Sequence, residues 1–552
     1  MPLLLIAPNV AITTLSPPFG HLACVTNIVL PLGIYMLLMA WSRNSGRTAV
    51  LMTPLAALAA FQIVVMFLYQ ESSALAVDMF LNVVTTNSAE VGELLGNLAL
   101  PMLLVITLYL PPLLMGIVLW CRHRRVSAQQ HRRLLRAGYA TAGAGVLLVI
   151  LSYICVPNYR VDYDVFPVNA LCNLTEAFHR SARTKHYAES SADFTFNAKP
   201  DPSRHGREIY VAIVGETSRA DHYQLFGYPR FTNPRLCTVD SLIACEHVLS
   251  ESNTTHKSVP MLLSTVCAEN YNDSIYTHKS VISGFREAGF HTVVLSAQSP
   301  NGSFIDFFCR EADSTVYLRN NLMSPEERIY DDALIPKLDS LLATDNHERL
   351  LVVLHLYGCH FNYNDRYSRA DAFFLPDKTP NVNAENREQL INAYDNAMRV
   401  TDEVLYDVIS RLDSVGCPGG MIYTADHGED IFDDERGRFL HASPTPTFAQ
   451  LYVPMLLYFN GEWRGRYPEK YDAAKAVSHT DISSSESYSH TLLDMAGIET
   501  PRLKKTAALT SGEYRPVERR KFLNDRNEAV NLHRAGFKKF DFESLENHNI
   551  NR

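Results

Sequence analysis

Tyr423-Thr424-Ala425-Asp426-His427-Gly428-Glu429 closes an apolar run, Gly420-Met421-Ile422-Tyr423, with a carboxylate, an imidazole and a glycine. That order suits a buried strand handing metal ligands to the edge of a sheet. A second delivery of the same kind lies upstream. Ile209-Tyr210-Val211-Ala212-Ile213-Val214 is a short, β-branched apolar run of buried parallel-strand type, and it ends in Gly215-Glu216-Thr217. Ligands placed just past the C-terminal ends of two strands fall where α/β sheets hold their chemistry.

Around these two runs, strand, loop and helix alternate from Glu208 onward. Candidate strands cover 209–214, 291–296, 350–356, 420–424 and 452–459, with a long helix over 386–412. The pattern predicts an α/β/α sandwich on a mostly parallel sheet, occupying residues 208–552.

The first 156 residues read differently. Stretches 22–41, 50–69, 100–120 and 137–156 are almost free of charge, and each nears the ~20 residues a bilayer-crossing helix needs. Arg43 and Arg47 lie between the first two, and Arg122, Arg124, Arg125, Arg132, Arg133 and Arg136 between the last two, so both loops belong on the cytoplasmic side. The intervening loop carries Glu71, Asp78, Glu90 and Glu93 but no Lys or Arg, and it faces outward. By the same parity, everything after Val156 lies outside the cytoplasm. Residues 1–20 are mostly apolar but broken by Pro8, Pro17 and Pro18, which reads as a truncated or irregular first span, or else an outward-facing interfacial segment, rather than a cleavable signal. The expected organisation is therefore an N-terminal α-helical transmembrane bundle (1–156), a linker with an amphipathic helix over 168–188 (157–207), and an outer catalytic domain (208–552).

Composition is consistent with that compartment. Seven of the ten cysteines (Cys172, Cys237, Cys245, Cys267, Cys309, Cys359 and Cys417) fall in the outer part, where disulfides persist, and an odd number leaves at least one thiol free. The net charge of −9 argues against nucleic acid as a partner.

Glu216, Asp426 and His427 form a mixed carboxylate and imidazole set that suits zinc and leaves a position for a reacting oxygen. A bare Asp-His pair also caps helices and satisfies core histidines; it is the joint occurrence with Gly-Glu-Thr after a strand that points to metal. A nucleophile belongs on a loop leading into a helix, because the helix N-terminus stabilises negative charge. Ser252-Asn253-Thr254-Thr255-His256-Lys257-Ser258-Val259-Pro260 supplies several hydroxyls ahead of an apolar helical run. Any one of them could instead be the N-cap. A threonine bound to zinc would serve as both ligand and nucleophile.

Gly215-Glu216-Thr217-Ser218-Arg219-Ala220-Asp221-His222, followed by Gly227-Tyr228-Pro229-Arg230 and Thr232-Asn233-Pro234, resembles the opening motif of the bacterial phosphoethanolamine transferases that modify lipid A. These are membrane-anchored members of the alkaline phosphatase and sulfatase superfamily, and they include the colistin-resistance enzymes. Ser258-Val259-Pro260, Asn392-Ala393-Tyr394-Asp395-Asn396, Gly358-Cys359-His360 and Thr424-Ala425-Asp426-His427-Gly428-Glu429 resemble further motifs of that family.

The resemblance implies an alkaline phosphatase/sulfatase-like sandwich in the periplasm of a multi-pass inner-membrane protein. It makes Glu216, Thr255, Asp426 and His427 the zinc ligands, with Thr255 the catalytic nucleophile. His360 and His441 would contact the phosphoryl group or a second zinc beside the one tightly bound. In the outward membrane loop, Asn82, Thr86 and Glu90 would hold the ethanolamine headgroup. The implied partners are phosphatidylethanolamine as donor, lipid A or another envelope glycan as acceptor, and membrane lipids, with the chain a monomer. Two departures stand out. The family brackets its nucleophile loop with cysteines, where this chain has Glu251 and Met261, and the segment 299–309 has no clear counterpart. Cys237 and Cys245 are then candidates for a local substitute bridge.

Other readings are a sulfatase or simple phosphatase, a glycerophosphate transferase, or a non-catalytic membrane relative. The Cys/Ser-x-Pro-x-Arg motif of sulfatases does not occupy the Thr255 loop. If Glu90 meets the donor's ammonium, Glu90→Gln should weaken phosphatidylethanolamine use by about 1.5–3 kcal/mol, the worth of a charged hydrogen bond. Donor competition assays check this: a donor lacking the ammonium should be used poorly by both proteins, and equal losses on both donors would assign Glu90 to loop support.

Overall fold

The computed structural model describes residues 2–10, 20–53, 55, 88–123, 125–156, 159–300, 302–321, 328–443 and 445–552. They divide into two units. One holds Met1–Val84, Glu90–Arg180 and Arg436–Phe439; the other holds Thr85–Ala89, Ser181–Glu435 and Leu440–Arg552.

The first unit is helical. Helices α1 (Gly20–Ser42), α2 (Ser88–Cys121) and α3 (Ala128–Cys155) contain three of the four apolar stretches. Among the described residues, His21–Ser42 and Ala128–Cys155 are long and apolar enough to cross a membrane, and Val105–Cys121 is a shorter apolar segment. Small residues let α1 and α3 pack closely: a Cβ on Gly145 would lie 2.6 Å from the Leu30 Cα, and Thr26 and Ser152 share a buried hydroxyl contact of 3.0 Å. Most of the 50–69 stretch lies outside the described residues, as do Asn82 and Thr86. Glu90 falls in the first turn of α2 rather than in a loop.

The second unit is built on a seven-stranded sheet. Its strands are β1 (Glu208–Gly215), β2 (Ile243–Cys245), β3 (His291–Ser296), β4 (Ser314–Tyr317), β5 (Arg349–His355), β6 (Gly419–Ala425) and β7 (Met455–Phe459). Their spatial order is β2-β7-β6-β1-β5-β3-β4. The five strands from β6 to β4 are parallel, whereas β7 pairs antiparallel with β6 and β2 antiparallel with β7.

Every residue of β1 is buried, as a parallel strand covered on both faces requires. Tyr210, Ala212 and Val214 pack with Leu351, Val353 and Ile422, with Val259 and Leu262 of helix α5 (Thr255–Leu262), and with Tyr488 and Leu492 of helix α8 (Ser484–Met495). On the other face, Gly419 stands level with Ile209 and meets Leu412 of helix α7 (Arg387–Ser414). Helix α6 (Leu334–Thr344) packs on α7 and on β3. Each fully buried Val, Leu or Ile in these layers contributes roughly 1.5–3 kcal/mol, which makes the sheet a rigid platform.

The sandwich, its parallel centre and the five expected strands agree with the sequence reading; the differences are local. The strand expected over 452–459 begins only at Met455, because Pro454 has no N–H for the ladder and Phe448–Leu451 turns as a short helix. The linker helix stops at Lys185, followed by a separate turn at Tyr187–Ser190. Strands β2 and β4 were not foreseen. They are edge strands of three and four residues with partly exposed positions, too short for a period to show.

After β5 the chain turns at Gly358, with φ of +51°, and comes so close to β1 that a Cβ there would lie 2.5 Å from the Glu216 carbonyl oxygen. The left-handed conformation alone costs a non-glycine residue about 1–2 kcal/mol, and the overlap adds to it. Gly358→Ala should therefore lower the thermal unfolding midpoint of the purified chain. An unchanged midpoint would show that this turn does not press on Glu216.

Candidate active site

Parallel pairing of β1 with β6 sets Gly215 level with Ala425, so Glu216 and Asp426 leave the sheet side by side. Both are fully buried, as is His427. Ligand-type atoms of Glu216, Asp426 and His427 all lie within 4.8 Å of one another. His427 Nε2 is 3.3 Å from Asp426 Oδ2 and 3.8 Å from Glu216 Oε1.

Each of these atoms is aimed by a neighbour. Asp426 Oδ1 accepts the backbone N–H groups of Thr217 (3.0 Å) and His427 (2.8 Å), while the buried Oδ2 has no hydrogen-bond partner among the described residues. His427 Nδ1 donates to the Gly428 carbonyl at 2.9 Å, which leaves a lone pair on Nε2 facing the carboxylates. Glu216 Oε1 accepts the Thr217 hydroxyl at 2.6 Å, and the Gln298 amide lies 3.4 Å from Oε2. Thr217 holds φ of +54°, a conformation β-branched residues rarely adopt. It is pinned there because the Tyr394 hydroxyl donates to its carbonyl at 2.7 Å.

The electrostatics favour a cation. Burial raises the Glu216 carboxyl, and burial followed by the Glu216 charge pushes Asp426 well above the carboxylate range. Burial, then His441, holds His427 well below the usual imidazole value. Two crowded carboxylate oxygens, one without a partner, and an imidazole lone pair fit a divalent ion of the zinc class.

Thr255 joins this cluster from the first turn of α5. Its hydroxyl donates to Glu216 Oε1 at 3.2 Å and lies 3.1 Å from His427 Nε2. Thr254 is the extended N-cap residue, which separates the capping position from the reactive one. The loop is tethered on both sides. Asn253 donates to the Ser443 carbonyl (2.8 Å) and to Gln450 Oε1 (2.6 Å), and its own carbonyl accepts the Ala442 N–H (3.0 Å).

His441 is thereby brought to the cluster, its ring 4.2 Å from that of His427, with Nδ1 3.5 Å from Glu429 Oε2. His360 stands 6.2 Å from His441 and stacks on Tyr357, and its Nδ1 donates to the Phe361 carbonyl at 2.5 Å. Desolvation lowers both histidines, to about 4 for His441 and about 3 for His360, the latter also because Arg366 is near. Both are therefore neutral at ordinary pH, and the Phe361 carbonyl on Nδ1 leaves Nε2 of His360 unprotonated.

Glu216, Thr255, Asp426, His427, His360 and His441 are thus gathered in one place. Asn82 and Thr86 lie outside the described residues, and no side chain is described for Glu90. Cys237 and Cys245, the candidates for a local bridge, are not joined. Cys245 sits buried in β2 opposite Met455, while Cys237 is exposed in the turn Leu236–Thr238. Glu251 ties down the loop that leads to Thr255 instead. Its buried carboxylate accepts the Ala268 N–H at 2.8 Å and its carbonyl the Leu523 N–H at 2.7 Å.

Several contributors went unread in the sequence. Gln298 lies two residues past β3, another strand end, and that position was its available signal. The segment Asn392–Asn396 proves to be a brace: Asp395 holds His222 (2.7 Å), Arg230 (2.9 Å) and Tyr228 (3.0 Å), and the Tyr394 hydroxyl accepts the Arg219 N–H (2.9 Å).

This geometry has known counterparts. The sulfatase family model matches residues 208–498, more than half of the chain. Phosphoethanolamine transferase EptA of Escherichia coli K12 is 30% identical over 307 residues, covering 53% of this chain and 54% of that protein. The chain spans about half the length of the curated relatives it matches. The integral membrane lipooligosaccharide phosphoethanolamine transferase A of Neisseria meningitidis aligns with a TM-score of 0.74 over 92% of this chain and 96% of that one, at 22% identity. The periplasmic domain of EptC from Escherichia coli, solved as a complex with Zn, aligns at 0.56 over 62% and 97%, at 24% identity. The last two show a shared fold, and the family model matched over residues 208–498 shows that this chain belongs to the sulfatase family.

Proposed function

We propose that the chain is a zinc-dependent phosphoethanolamine transferase that moves the headgroup of phosphatidylethanolamine to lipid A or a related envelope glycan through a phosphothreonine ester on Thr255. The observation that carries this is the Thr255 hydroxyl, 3.1–3.2 Å from His427 Nε2 and Glu216 Oε1 at a helix N-terminus. The names of the relatives support the reaction class, and the zinc complex of the related periplasmic domain supports the metal.

Glu216, Asp426 and His427 would hold the zinc, with Thr255 Oγ1 at its open position, and the ion supplies Lewis-acid polarisation and lowers the pKa of what it binds. Thr255 Oγ1 attacks phosphorus, forming the new P–O bond as the bond to diacylglycerol breaks. The Thr255 proton passes to Glu216 Oε1 and from there to the departing glycerol oxygen. N–H groups at the start of α5 face the phosphoryl oxygens. In the second step an acceptor oxygen attacks the same phosphorus and frees Thr255. His360 and His441, both neutral, orient the acceptor's hydroxyl, and their ring nitrogens suit a second cation. Asn82, Thr86 and Glu90 recognise the ammonium, and the chain sits in the inner membrane as a multi-pass protein with its catalytic domain in the periplasm.

Thr255→Ala should abolish release of diacylglycerol from phosphatidylethanolamine while leaving the melting curve of the chain in place; Thr255→Ser should keep part of the rate. Near-normal release by the alanine variant would move the nucleophile elsewhere, with Thr254 next in line. Metal removal forms the second check. Chelation, Asp426→Ala or His427→Ala should each cost at least about 3 kcal/mol of transition-state stabilisation, a hundredfold or more in rate. Full activity in protein shown by elemental analysis to be metal-free would end the zinc reading.

A further inference from the structure

A second set of metal-type ligands lies at the other end of the sheet. His291 opens β3, while Asp345 and His347 occupy the turn between α6 and β5. His291 Nδ1 stands 2.6 Å, and His347 Nδ1 3.0 Å, from the same oxygen, Asp345 Oδ2. The two imidazole rings are 4.2 Å apart. As at the catalytic cluster, one ligand-type atom from each of the three residues lies within 4.8 Å of the others.

The two sites are independent. Both His291 and Ile209 are level with Leu350, and Glu216 is seven residues further along β1, which at about 3.3 Å per residue separates them by roughly 20 Å.

Asp345 is in an unusual place for a carboxylate. Its side chain is 3% exposed, and it caps the C-terminal end of the eleven-residue α6, where the helix dipole is negative and cations, not anions, are favoured. Its oxygens are met by two imidazoles and by the His347 N–H, which Oδ1 accepts at 3.0 Å. The two imidazole hydrogen bonds fix the orientation of the carboxylate. The donor set, two imidazole nitrogens and a carboxylate oxygen, suits zinc and its neighbours rather than magnesium or calcium, which take oxygen ligands. His347, with its side chain 62% exposed, leaves the fourth position open to solvent.

We propose that His291, Asp345 and His347 form a second binding site for a divalent transition-metal ion, which staples the turn between α6 and β5 to the start of β3. The ion takes no part in transfer.

Zinc itself is the probe. The full chain in detergent, its Asp426→Ala variant, its His347→Ala variant and the double variant are dialysed against a zinc buffer, and metal per chain is read by elemental mass spectrometry. His347→Ala should carry one equivalent less than wild type and keep its transfer rate. Asp426→Ala should retain the equivalent that the double variant loses, and added zinc should raise the unfolding midpoint of Asp426→Ala but not of the double variant. His347 is exposed, so its removal leaves the fold intact. Equal metal content in wild type and His347→Ala would overturn the proposal, whatever the transfer assay shows.

Discussion

Glu216 and Asp426 are buried next to each other at the ends of adjacent parallel strands, and the rest of the catalytic unit is arranged around keeping them there. Two carboxylates removed from water repel and lose their hydration, a cost of several kcal/mol per ion that nothing apolar offsets. Here part of the offset is hydrogen bonding, with two backbone N–H groups on Asp426 Oδ1 and the Thr217 hydroxyl on Glu216. The remainder is left for a cation, because Asp426 Oδ2 and His427 Nε2 point at the same space. Carboxylates held this way favour a cation between them, with the Thr255 hydroxyl alongside.

Maintaining this geometry requires strain and bracing far from the reacting atom. Thr217 is held in a left-handed conformation by Tyr394 and Asp426, and Gly358 approaches so closely that a side chain would strike the Glu216 backbone. Asp395, fully buried, gathers His222, Tyr228 and Arg230 from the segment that follows Glu216. Asn253 and Gln450 do the same for the nucleophile loop and the loop carrying His441. The bridge that the sequence resemblance led one to look for is replaced by the Glu251 carboxylate, a hydrogen-bonded tether in place of a covalent one.

The central strands and their ligands were legible because buried parallel strands are continuous apolar runs, and a polar residue directly after such a run has few structural reasons to be there. The edge strands Ile243–Cys245 and Ser314–Tyr317 were not legible, since three or four residues carry no period. Among the site residues, Glu216, Asp426 and His427 could be read from their positions, whereas Thr255 could be told from its neighbouring hydroxyls only by resemblance. Gln298, Asp395 and the strained Thr217 act through contacts across 82 to 209 residues of chain, and no local pattern encodes a partner that distant. The His291, Asp345 and His347 group was missed for the same reason: the strand and the turn that carry it are 54 residues apart.

The central claim is that Thr255 carries the transferred group. Incubation of the purified chain with phosphatidylethanolamine in the absence of acceptor, followed by acid quench and peptide mapping by mass spectrometry, tests it directly. The account predicts a phosphoethanolamine ester on Thr255, formed in step with diacylglycerol release. Diacylglycerol release with Thr255 unmodified, or an adduct on any other residue, would contradict it.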